Sequence, residues 1–144
     1  MIVVRLEKSK SRSGKHAARS IVLLVSDRGE VKEAKPAQLR SIKPLYAVGE
    51  AYEAAYKVSP GHFLVYVYLV KNLRNHVKGY IEVYSNDGRL LYRAVYRKLK
   101  LRRSMGDPSY AWAVRRVADY LKLYVKNTNL GDEKLQKRAQ RVTR

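Results

Sequence analysis

Apolar and polar positions change their period several times along the chain, and each change marks an element. Residues 2–6 (Ile-Val-Val-Arg-Leu) predict a short strand. Residues 21–25 (Ile-Val-Leu-Leu-Val), closed by Asp27-Arg28-Gly29, predict a second strand entering a turn. Between them, residues 8–19 are mostly Ser, Lys and Arg and hold little to bury, so they are expected to be a mobile basic loop in a long hairpin. Pro36 and Pro44 bracket a connection or short helix. Over 45–57, Leu45, Val48, Tyr52, Ala55 and Tyr56 recur at three and four, which predicts a helix stopped by Ser59-Pro60-Gly61. Residues 62–70 carry Phe63, Val65, Val67 and Leu69 on one face. Leu64, Tyr66, Tyr68 and Val70 occupy the other, the pattern of a strand buried on both sides.

Residues 79–101 predict a hairpin. Tyr80-Ile81-Glu82-Val83-Tyr84 runs into Asn86-Asp87-Gly88, which supplies the positive φ of a tight turn, and 90–96 runs back. Continued alternation through 98–102 places Lys98, Lys100 and Arg102 on one face. Met105-Gly106-Asp107-Pro108 breaks the chain and Ser109 is positioned as an N-cap. A helix over 110–126 would bury Val114, Val117, Leu121 and Tyr124 or their neighbours. The expected fold class is α+β, a small mixed sheet with a prominent β-hairpin flanked by helices and basic terminal extensions. Residues 1–30 form an N-terminal hairpin with its basic loop, 31–128 an α/β core, and 129–144 a basic tail.

Charge narrows the function. Thirty-one Lys and Arg face twelve Asp and Glu in 144 residues, a formal charge of +19. Such a chain repels itself unless a polyanion neutralises it, and nucleic acid is the commonest polyanion. With 46% hydrophobic residues it can bury one core and is not a disordered tail. No apolar run is long enough to span a bilayer, and the first residues are too short an apolar stretch for a secretory signal, so synthesis in the cytoplasm is expected. The absence of cysteine excludes disulfides and thiolate metal sites, and His16, His62 and His76 show no ligand spacing. Abundant Tyr and charge with little Gln resemble thermophile composition.

The punctuation of the middle of the chain has a familiar series: Gly49-Glu50-Ala51-Tyr52-Glu53, then Gly79-Tyr80-Ile81-Glu82, a turn, a strand, and Arg116-Val117-Ala118-Asp119-Tyr120. It resembles the RecB-like nucleases of the PD-(D/E)xK class, in particular their CRISPR-associated branch, over about 45–126. That family holds a divalent metal between acidic groups and orients water with a Lys. Here its helix His falls near Tyr52 or Glu53, and its Asp becomes Glu82. Its Glu falls at Ala94, its Lys at Tyr96 and its Gln at Arg116, while Tyr120 is kept. One carboxylate does not hold a hard cation, so the resemblance implies a degenerate nuclease-like core without catalysis. Such a core, with raised charge and no cysteine, is similar to the nucleocapsid proteins of filamentous viruses infecting hyperthermophilic archaea, of the Thermoproteus tenax virus type.

The expected function is therefore sequence-independent binding and packaging of double-stranded DNA, as a homo-oligomer along the duplex, a helical one among the options. Its place would be the virion. No cofactor, catalytic residue, metal, small-molecule substrate or membrane contact is expected. Alternatives from other classes are an RNA-binding or ribosomal protein and an active metal-dependent nuclease. The phosphate-binding candidates are Lys8, Lys10, Arg12, Lys15 and Arg19 near the start, and Arg93, Arg97, Lys98, Lys100, Arg102 and Arg103 in a stripe without acids. Arg115 and Arg116 on a helix, and Lys134, Lys137, Arg138 and Arg141 in the tail, complete the set. The strand tyrosines offer either a stacking platform for bases or half-buried sheet packing.

Overall fold

Backbone pairing, rather than helical periodicity, organises the first half of the chain. The computed structural model describes residues 1–45, 48–72, 77–98 and 100–123. β1 (Ile2–Lys10) pairs along its whole length with β5 (Val48–Tyr56), but meets β2 (His16–Ser26) only through Lys8, Ser9 and Lys10. β2 continues against β3 (Val31–Glu33) on one side and β6 (His62–Asn72) on the other. β4 (Gln38–Ile42) flanks β5, and β7 (Val77–Tyr84), β8 (Leu90–Arg97) and β9 (Lys100–Gly106) follow β6 as a meander. The result is one nine-stranded sheet of order β4-β5-β1-β2-β6-β7-β8-β9, with β3 off that path and every pairing antiparallel.

The core has two layers because β6 is buried on both faces, as the unbroken apolar pattern of 62–70 leads one to expect. On one face Ile2, Ala54 and Tyr56 of β1 and β5 pack against Val22, Leu64 and Tyr66. On the other, Leu23, Val65, Val67, Ile81 and Val83 meet α1 (Ala111–Leu121) through Ala113, Val114 and Val117. Fully burying each Leu, Ile or Val contributes about 1.5–3 kcal/mol, which makes β6 the strand whose truncation costs most. Phe63 adds edge-on contacts to Tyr110 and Trp112, tying the start of α1 to the foot of β6.

These strands overturn the α+β expectation: α1 is the one α-helix among the described residues, and helices do not flank the sheet. The helix expected over 45–57 is β5. Its residues Ala51, Ala54 and Ala55 are small enough to satisfy either period, and full-length pairing with β1 decides between them. Gly49 helps, since a Cβ there would stand 2.3 Å from the Lys8 carbonyl oxygen. The Pro-bracketed segment holds β4, an extended edge strand. The basic loop expected over 8–19 is largely strand, with only 11–15 connecting β1 to β2. The long return strand divides in two at Lys98, whose φ of 55° starts the reversal into β9. Asp107, not Ser109, caps the start of the helical segment, its carboxylate accepting from the Ser109 N–H at 2.9 Å. α1 ends at Leu121 with Lys122 left-handed behind it, and the last part of the expected helix, 124–126 with Tyr124, lies outside the described residues.

Candidate nucleic-acid interface

An antiparallel meander sends alternate connections to the same end of the sheet. Register therefore gathers the β1–β2, β6–β7 and β8–β9 connections at one pole, although they are remote in sequence. Lys8, Lys10, Arg12, Lys15 and Arg19 come there from the first hairpin, all exposed. Lys71 and Lys78 flank the second connection, and Arg97, Lys98, Lys100, Arg102 and Arg103 surround the third, again all exposed. Lys78 stands directly opposite Arg97, and Arg97 directly opposite Lys100. Directly opposed residues have Cβ atoms about 4.5–5.5 Å apart, where like charges repel. None of these three has an ion-pair partner among the described residues.

Acids are few at this pole. Of the described ones, Glu50 is exposed there, opposite Lys8. Glu7 is 5% exposed, and its Oε1 accepts from the Leu45 N–H at 2.6 Å with the Arg5 guanidinium at 3.5 Å. That carboxylate pins the β4–β5 connection onto β1. At the opposite end of the sheet the charges mix: Asp27, Arg28, Glu30, Lys32, Glu33, Asp87, Arg89 and Asp107. Strand spacing of about 4.8 Å carries the basic pole over roughly 24 Å from β1 to β9. Duplex DNA presents a phosphate every 3.4 Å of axis on each strand, so a contact of that length covers about seven per strand.

The other sequence candidates fall elsewhere. Arg93 lies in mid-sheet, its guanidinium 4.4 Å from the centre of the Tyr80 ring and 3.8 Å from Glu82. Arg115 and Arg116 are exposed on α1, and the Arg116 side chain lies over Gly29 at the mixed-charge end. Neither joins the pole. Lys134, Lys137, Arg138 and Arg141 lie outside the described residues. The face shared by Lys98, Lys100 and Arg102 does not form: Lys98 is in the turn, and an irregularity in β9 beside Tyr96 leaves Arg102 unpaired between Leu101 and Arg103. Lys71 and Lys78 escaped sequence reading because each stands alone, with no run to mark it.

Strand tyrosines are engaged with one another. Tyr68 stacks on Tyr80 at 5.3 Å and 26°, and Tyr80 also carries Arg93. Tyr66 donates to the Arg5 carbonyl at 2.9 Å and lies 2.9 Å from the Ser20 hydroxyl, locking β1 over β2 and β6. Tyr84 donates to Glu82 at 3.0 Å. Burial, with the Glu82 charge behind it, pushes the Tyr84 phenol above its ordinary range, and burial does the same for Tyr66. This is sheet packing, not an open platform for bases.

The nuclease-like positions do not converge. Glu82 stands opposite Arg93, whereas Ala94 stands opposite Ile81 and points into the core beneath α1 with Tyr96. Tyr52 is on β5 and Arg116 on the outer side of α1. No group of three His, Asp or Glu fit to hold a metal exists among the described residues. No helix among them is long and apolar enough to cross a membrane. No protein-family model matches the chain, and no curated protein and no solved structure matches it either.

Proposed function

We propose that this protein binds double-stranded DNA without reading its sequence and packages it, many copies lining one duplex, without catalysis. One observation carries the reading: a predominantly basic pole built from three hairpin ends, where Lys78 faces Arg97 and Arg97 faces Lys100, none of the three with an ion-pair partner among the described residues. Folding has to overcome the repulsion in that row, and a phosphate lattice removes it. Long Lys and Arg side chains at strand ends reach phosphates, contacts that position a protein on a duplex without reading its sequence. The nuclease-like series that implies a viral nucleocapsid protein needs a helix–strand–hairpin–helix order, which this fold does not have. The charge arrangement alone supports packaging.

Filter binding to a duplex of unrelated sequences at about 50 and 200 mM salt tests it. With roughly six to ten phosphates neutralised per copy, affinity should fall by about 10³ to 10⁵ between those salts. A flat titration removes the mechanism. A strong preference for one structured RNA favours an RNA-binding role instead, and cleavage of linear DNA on adding Mg²⁺ or Mn²⁺ overturns the non-catalytic reading.

A further inference from the structure

Gly49, Ser9, Ala18, Val70 and Lys78 are successive cross-strand partners on β5, β1, β2, β6 and β7. Directly paired residues share a face, so this row has a profile: Gly49, Ser9 and Ala18 are small and Lys78 is tall. The surface dips into a recess of about 210 Å³, lined by Ser9, Ser11, His16, Ala18, Val70 and Lys78. Its walls have two characters. Ala18 and Val70 are apolar and 5% and 8% exposed. His16 and Lys78 are exposed and bring an imidazole and an ammonium to the basic pole. The Ser11 hydroxyl accepts from the His16 N–H at 3.2 Å, fixing that side of the rim. Ser9 is 2% exposed, and its hydroxyl has no hydrogen-bond partner among the described residues. Buried polar groups are ordinarily satisfied, so an orphan hydroxyl beside a recess marks a position for an incoming oxygen.

We propose that this recess seats a phosphate ester together with the sugar that bears it. Lys78 and His16 hold the phosphate oxygens, the Ser9 hydroxyl donates to one of them, and Ala18 and Val70 pack against sugar carbons. The inference rests on the polyanion reading and sharpens it. Spread charge attracts a backbone without fixing its position, whereas a half-apolar recess holds one sugar phosphate at a set register. It also separates esters from the bare ion, because each CH₂ buried is worth about a factor of four in affinity.

The test uses the full chain, with ¹³C-labelled methyls of Ala18 and Val70 followed by NMR at constant ionic strength. Deoxyribose 5-phosphate, inorganic phosphate and chloride are titrated in turn. The sugar phosphate is expected to shift both methyls to saturation, at roughly tenfold lower concentration than inorganic phosphate, with chloride doing neither. Ala18→Leu fills the recess and keeps every charge, so Val70 should then stop responding. Ser9→Val, smaller in its disturbance of the sheet, should weaken the response as well. Methyl shifts that are no larger than with chloride, or unchanged in both folded variants, overturn the site. Duplex binding is measured on the same samples: a duplex bound while the methyls stay silent sinks the recess alone, and an unbound duplex at low salt sinks the polyanion reading.

Discussion

Replacing Lys78, Arg97 and Lys100 together by Gln is expected to make the free protein more stable and its hold on DNA weaker. The row contains two directly opposed like-charge pairs, Lys78 with Arg97 and Arg97 with Lys100. Each such pair costs about 0.2–1 kcal/mol, and because all three side chains are exposed, solvent and salt bring the figure toward the lower end. Removing both should therefore raise stability by about 0.4–1 kcal/mol, seen as a melting temperature a few degrees higher at low salt. DNA binding should move the other way. Three lost phosphate contacts reduce the slope of log affinity against log salt by about 2.7, so between 50 and 200 mM the wild type should lose about 40-fold more affinity than the variant. A second triple variant, Arg28→Gln, Lys32→Gln and Lys57→Gln, removes the same net charge from the opposite end of the sheet. Equal slopes for the two triples would show that net charge alone governs binding and that the pole has no role. A less stable pole variant would refute the repulsion argued from the register.

Tyr66→Phe removes the donor to the part-buried Arg5 carbonyl and one of the partners of Ser20, whose hydroxyl keeps the Glu7 N–H, and should cost about 1 kcal/mol in urea unfolding. Tyr56, Tyr66, Tyr80 and Tyr84 have phenol pKa values raised by burial, so the folded chain keeps protons that the unfolded chain releases. Their stabilising effect is complete below about pH 10 and is lost as pH climbs above it. Stability measured at rising alkaline pH should fall, with phenolate absorbance lagging free tyrosine, and the fall should be shallower in Tyr66→Phe. A flat profile would contradict the burial argument. Gly79→Ala places a Cβ 1.9 Å from the Tyr68 carbonyl oxygen, and β6 and β7 must part to admit it. A loss above about 3 kcal/mol is expected from the unfolding midpoint.

Strands were legible where side chains specify them by shape. The β-branched and aromatic residues of 62–70 and 80–84, and the Asn86-Asp87-Gly88 turn, leave few alternatives to a buried strand and a tight hairpin. Residues 51–56 are the reverse case. Ala and Tyr at three and four fit a helix as well as a strand, and the choice rests with β1, nearly fifty residues away. The reversal at Lys98 has no Gly, Pro or Asn to announce it, so the chain reads as one long strand where the fold has two. The basic runs are plain in the sequence, but the isolated Lys71 and Lys78 are not, and neither is the grouping of all of them. Whether Lys10, Lys71 and Arg97 share an end of the sheet depends on how β3, β4 and β5 reverse between β2 and β6 and on β2 pairing with β6, which no local pattern announces.

On the proposed reading, the same cations also govern what copies of the protein do to one another. β9 is an edge strand with all seven residues exposed, the kind of edge that invites pairing with another chain. Lys100, Arg102 and Arg103 on it, together with the irregularity at Arg102, oppose that pairing while the charges are bare. Neutralisation by phosphate removes the electrostatic part of that opposition and leaves only the irregularity. Free copies are thus kept apart by the charge that draws them to the duplex, and crowding along DNA becomes a consequence of binding rather than a separate affinity. The two effects share one salt dependence, so high salt weakens the hold on DNA and at the same time lowers the barrier between free copies.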